Sequence, residues 1–194
     1  MDISVSQIAQ TTILAGATFG RSVLGELISE VGPEPKEPEL VFLDFSDIEV
    51  ATASFLRESI VAFKDRVRGQ RSTLYPVVTN PNESVRDELQ EITTSRGGAL
   101  MCCERNNDGM ITDFFTIGQL DPKQQLTFDL VHQEGVTDAG ALMERHGKDE
   151  GLKHATAWNN RLASLSLLGL IVELREGRAK RYKPLFTSGE AYGS

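Results

Sequence analysis

The sequence predicts a mixed α/β protein in two parts: an α/β layer domain over residues 1–118, then three helices closed by a β-hairpin over residues 119–187, with 188–194 as a tail. Three observations predict it. Short apolar runs alternate with stretches of helical period up to residue 118. From Asp121-Pro122 onward the pattern is helical with no strand between the helices. The closing stretch IVELREGRAKRYKPL then alternates in strand fashion around Glu176-Gly177.

In order, ISVSQIA alternates like a half-buried strand, and ATFGRSVLGELISEV carries Phe19, Val23, Leu27 and Val31 at helical spacing. GPEPKEPE is a proline-rich loop, and LVFLDF reads as a buried central strand. The helix ATASFLRESIVAFKDRVRG turns Phe55, Ile60, Phe63 and Val67 to one side and is expected to stop on a left-handed Gly69. In the strand STLYPVVT, Pro76 favours a place near an edge or bulge, because proline cannot donate to a ladder. Pro81 is expected to open the helix PNESVRDELQEIT, and Asn106-Asn107-Asp108-Gly109 to turn a hairpin between ALMCCER and MITDFFTI.

In the second part, Asp121 is the expected cap of the first helix and Thr137 that of the second, DAGALMERHG. The third runs through ATAWNNRLASLSLLGL to Gly169, with Ala155, Trp158, Leu162 and Leu165 as its inward stripe.

Composition is that of a packed protein, with 40% hydrophobic and 25% charged residues. No apolar run is long enough to cross a bilayer and the start is unlike a signal peptide, so the expected place is the cytoplasm, away from membranes. The neighbours Cys102 and Cys103 cannot close a loop and read as small buried hydrophobes in a reducing compartment. The net charge of -8 is uneven: residues 1–120 hold 10 Lys+Arg against 18 Asp+Glu, and residues 121–194 hold 10 of each. A local basic cluster in the second part can still meet nucleic acid, since a nearby patch outweighs charge beyond a Debye length.

Opposite the inward stripe, the third helix presents Thr156, Asn159, Asn160, Ala163 and Ser164. Asn pairs in bidentate fashion with adenine, and Thr or Ala touches a thymine methyl. Lys153 and His154 at the helix start suit phosphates, and the hairpin adds Arg175, Arg178, Lys180, Arg181 and Lys183 against Glu173 and Glu176, a local net of +3. Arg161 is read either as a phosphate contact or as an ion-pair partner of Glu144 or Asp149. Three helices followed by a hairpin is the order of a winged helix-turn-helix. TAWNNRLASLSLLGLIVELREGRAKRYKPL resembles the bacterial and archaeal winged-helix regulators, and the resemblance implies DNA binding through the exposed helix positions and the wing. Winged helices also serve as protein-protein modules, and that alternative stays open.

TFGRSVLGELI and VFLDFSDIEVATASFLRESI resemble a STAS-like domain, distantly related to anti-sigma-factor antagonists. The resemblance covers residues 1–118 and implies a partner-docking loop after the strand that ends in Asp44-Phe45. In the antagonists that loop carries a phosphorylatable serine at a helix start. Here Ala53 stands in its place, flanked by Thr52 and Ser54. Thr52 or Ser54 is therefore read as a switch, favoured by the helix N-terminus, or as a simple N-cap. Asp44 is read as a loop acceptor, with metal binding the alternative.

The segment Gly16 to Ser22 is one residue short of a phosphate-binding loop and has Arg21 where lysine is required. His132, His146 and His154 have no metal-ligand spacing with each other or with the cysteines, so no metal or cofactor is expected. The leading expectation is a non-enzymatic DNA-binding regulator whose first domain senses or docks a protein partner, with homodimerisation open. An adaptor with both domains binding protein is the second reading, and a hydrolase with an unrecognised site the third.

Overall fold

The computed structural model describes residues 1–177 and 179–186 and is mixed α/β. Cα packing divides the chain into two compact units, Met1–Gln119 and a second that begins at Leu120. Arg178 and the expected tail, 188–194, lie outside the described residues.

The first unit is built on a sheet of β1 (Asp2–Ser4), β3 (Glu39–Asp44), β5 (Leu74–Thr79), β6 (Ala99–Arg105) and β7 (Ile111–Gly118), in that spatial order. The first four strands run parallel and β7 pairs antiparallel with β6. A separate pair, β2 (Ile13–Leu14) with β4 (Val50–Ala51), is parallel. The connections hold α1 (Val5–Ala9), α2 (Ala17–Glu30), α3 (Ala53–Leu56), α4 (Ala62–Gly69) and α5 (Glu83–Arg96). Leu27, Val41, Leu43, Phe55, Ile60, Phe63, Leu89 and Cys102 all lie in one buried core cluster, which holds helices and sheet together.

Several local expectations are corrected. ISVSQIA does not stay extended: Ser4 caps α1 by accepting the Gln7 N–H, so the strand ends after three residues. Gly69 is the last helical residue, and the left-handed conformation falls on Arg71 at φ 55°. Pro76 sits in the middle strand of the sheet, where it is tolerated because the β5–β6 ladder begins only at Val78. Asn82, not Pro81, starts α5, its side chain accepting the Val85 N–H. The hairpin turn forms as expected, with the Asn106 side chain accepting from Asp108 and Met110 N–H.

A π turn (Arg57–Val61) joins α3 to α4 in one continuous helix. Ser59 Oγ donates to the Phe55 carbonyl at 2.7 Å, and a Cβ on Gly20 would stand 2.7 Å from that same oxygen. Gly20 is thus required by helix-helix approach, which is a structural account of the glycine-rich stretch from Gly16 to Ser22.

The second unit contains α6 (Pro122–Glu134), α7 (Ala139–His146) and α8 (Thr156–Leu168), then the hairpin β8 (Ile171–Glu176) and β9 (Ala179–Pro184). Asp121 and Gln124 form a reciprocal capping box on α6. Asp138, not Thr137, caps α7, because Thr137 instead pairs with Tyr182 as a third, one-residue strand beside the hairpin. Val131, Leu142, Trp158, Leu162, Leu165 and Ile171 are fully buried. No helix among the described residues is long and apolar enough to cross a membrane.

Candidate functional site

The surface of α8 follows from its buried stripe. Trp158, Leu162 and Leu165 point inward, and the helix stops at Gly169, left-handed at φ 80°. Ala155 is only half-buried, so the inward stripe starts in effect at Trp158. Thr156, Asn159, Asn160 and Ala163 are all exposed on the remaining side, and Lys153 and His154 are exposed just ahead of the helix. Ser164 leaves the expected set: it is half-buried and accepts from Gln124 Nε2 at 2.9 Å. Leu167, 49% exposed, joins the outward line four residues after Ala163. The apolar run LSLLGL hid it, since in sequence it reads as core.

Arg161 stands 3.0 Å from Glu150 Oε2 with its guanidinium 4.8 Å from the Trp158 ring centroid. Its partner is therefore Glu150, not Glu144 or Asp149, and its side chain is only 14% exposed. Glu150 also receives Lys123 Nζ at 2.9 Å. The hydrogen bond from Lys123, joined by that from Arg161, holds the Glu150 carboxyl below its ordinary range. This ties α6 and α8 to the segment between α7 and α8.

A second carboxylate is held in the same way. Burial alone would raise Glu134, but hydrogen bonds from His146 at 2.7 Å and Thr137 at 3.0 Å, with Arg145 beside them, bring it below its usual value.

The hairpin distributes its cations over two faces, because side chains alternate along a strand. Register places Glu173 opposite Tyr182 and Arg175 opposite Lys180, so these four share one face, whereas Arg181 and Lys183 lie on the other. Glu173 accepts from Arg175 Nε and Lys180 Nζ, each at 3.0 Å. Burial would raise Glu173, and the bonds from Lys180 and Arg175 outweigh it and lower it. The single basic patch expected of Arg175, Lys180, Arg181 and Lys183 is thus split by strand alternation and partly neutralised by Glu173.

In the first unit, Thr52 caps α3: its Oγ1 accepts Phe55 N–H at 3.4 Å and also Gly16 N–H at 3.2 Å. Ser54 Oγ lies 3.2 Å from Thr52 Oγ1, and both residues are half-buried. Asp44 accepts the backbone N–H and hydroxyl of Ser46 at 3.1 and 2.9 Å and Asn80 Nδ2 at 3.4 Å, the geometry of a loop acceptor. No group of three His, Cys, Asp or Glu able to hold a metal occurs among the described residues. Burial pushes both cysteine thiols up, Cys103 to about 11, which keeps them protonated at neutral pH. His132 is half-buried in α6, and the loss of solvent around its ring lowers its pKa; its Nδ1 is 3.0 Å from the Phe128 carbonyl.

The chain matches no protein-family model, no curated protein and no solved structure.

Proposed function

We propose that this chain is a non-enzymatic DNA-binding regulator: the second unit acts as a winged helix-turn-helix that lays α8 in the major groove, and the first unit, STAS-like, docks a protein partner. The carrying observation is the outward side of α8, where Thr156, Asn159, Asn160 and Ala163 are exposed together behind a fully buried Trp158–Leu162–Leu165 stripe. Such a face offers bidentate amides for adenine and small apolar contacts for thymine methyls. Exposed Lys153 and His154 at the helix start, and Lys180 and Arg175 on the hairpin, supply phosphate contacts that position without reading sequence. Thr52 keeps the helix cap of the docking unit, with Ser54 beside it as the hydroxyl a modifying partner would meet.

The test is a titration of the full chain with labelled duplex carrying its own upstream region and with random duplex, each at several salt concentrations. Tighter binding to the upstream duplex with a negative salt slope is expected. Binding to neither duplex removes the reading.

An adaptor without DNA binding is the second reading. It is favoured by Glu173, which occupies two hairpin cations, and by the exposed Leu167 on α8. The same titration separates the two.

A further inference from the structure

The first unit has a face that its own core does not explain. In β2 and β4 alternation buries Leu14 and Ala51, and it leaves Ile13 and Val50 opposite each other in register at 55% and 45% exposure. A β-branched pair side by side in solvent is an apolar platform without a cover among the described residues. It adjoins a shallow, open depression lined by Ser6, Gln7, Gln10, Thr11, Thr12 and Asp47. Thr12 links the two: it lines the depression, precedes Ile13, and its carbonyl accepts the N–H groups of Glu49 and Val50.

The segments that build this face carry side-chain charge of one sign: residues 1–20 and 37–56 contain no Lys or Arg. Of the cations that flank these stretches, Arg21 and Arg57 are both bound to Glu58, at 3.4 and 3.1 Å, and Lys36 lies in the loop before β3. Asp47 receives only a hydroxyl, Ser6 Oγ at 3.3 Å, and Glu49 likewise only Thr12 Oγ1 at 2.8 Å beyond the backbone. Neither carboxylate forms an ion pair among the described residues. Exposed apolar area beside unpaired carboxylates complements a segment that is apolar and cationic at once.

We propose that the Ile13–Val50 platform and the adjoining shallow depression dock a short protein segment of a partner, with an aliphatic side chain on Ile13 and Val50 and an arginine or lysine reaching Asp47 and Glu49. Arginine is the better fit, because its planar fork satisfies a carboxylate and a neighbouring side-chain oxygen together. The proposal rests on the reading of the first unit as a docking module and gives the partner its chemistry.

The test is selection of a displayed library of random twelve-residue peptides on the full chain, followed by anisotropy titration of the enriched peptides. They are titrated against the wild type, Asp47→Asn/Glu49→Gln and Ile13→Thr/Val50→Thr. Threonine keeps the β-branched shape at exposed positions, so the fold is retained, and an unchanged melting midpoint verifies it. Enriched peptides should combine aliphatic with cationic residues, lose about tenfold in affinity on either double variant, and weaken with salt on the two proteins that keep Asp47 and Glu49 but not on Asp47→Asn/Glu49→Gln. Peptides that bind all three proteins equally overturn this site and leave a docking function elsewhere on the unit. If selection enriches no peptide, the proposal and the docking half of the functional reading fall together, whereas DNA binding by the second unit is measured independently.

Discussion

Glu173→Gln is the substitution that tests whether the hairpin contacts DNA phosphates, as the proposed function requires. The carboxylate holds Arg175 and Lys180 at 3.0 Å each, and its own side chain is 15% exposed while theirs are 63% and 41% exposed. Because both cations are exposed, each pair contributes on the order of 1 kcal/mol or less, so losing both lowers stability modestly. Glutamine retains an acceptor oxygen for Arg175 and Tyr182 while removing the charge. The hairpin then gains one unit of positive charge, and two cations are released toward phosphate. Each phosphate newly neutralised adds about 0.9 to the steepness of log affinity against log salt, so the slope should steepen by about one to two. At low salt the variant should bind DNA about three- to tenfold tighter, equally on upstream and random duplex, because phosphate contacts carry no sequence. Anisotropy titrations at four salt concentrations read both quantities, with the melting midpoint as control. A variant that folds normally and shows the wild-type slope refutes any phosphate role for Arg175 and Lys180.

Asn159→Ala and Asn160→Ala remove amides from exposed positions without opening a cavity. A base-reading Asn should cost about 1–3 kcal/mol on the preferred duplex and little on random DNA, and equal losses on both would exclude base reading. Glu134, Glu150 and Glu173 all sit below the ordinary carboxylate range. Their stabilisation is fully present above the unfolded-state value and is lost as pH falls through the lowered folded value. The melting midpoint read from Trp158, the single tryptophan of the chain and fully buried in the second unit, should therefore fall in acid; Glu134→Gln should lower it at neutral pH and flatten its acid dependence.

Periodicity made the layers legible because it is a property of the chain itself. The stripe Ile60–Phe63–Val67 and the alternation of β8 and β9 each follow from one period, whereas Phe55 reaches the same core across the π turn, and the structure buries or pairs those residues accordingly. Caps were read less well, because neighbouring residues compete for the same donors. Thr137 and Asp138 are both good caps, and only the long-range pairing of Thr137 with Tyr182 decides between them. The rule about donors favours a place near an edge or bulge for Pro76, and the structure satisfies that rule with a ladder that begins two residues later. No local pattern contains the length of a ladder.

Charge was the least legible property of the candidate site, because sequence counts cations without their partners. Glu134 takes Arg145 and His146, Glu150 takes Lys123 and Arg161, and Glu173 takes Arg175 and Lys180. Lys153 forms no ion pair among the described residues, and it is exposed beside the start of α8, which has no side-chain cap. The free N–H groups and the dipole at that helix start favour a phosphate at the same place. If the proposed DNA binding holds, phosphate contact should therefore come first from the head of α8 and only second from the hairpin. Lys153→Ala and Lys180→Ala separate the two: the first should flatten the salt slope by about 0.9, whereas the second, already offset by Glu173, should change it by less than half of that. A larger loss of slope for Lys180→Ala would place the principal phosphate contacts on the hairpin and reverse the order argued from the ion pairs.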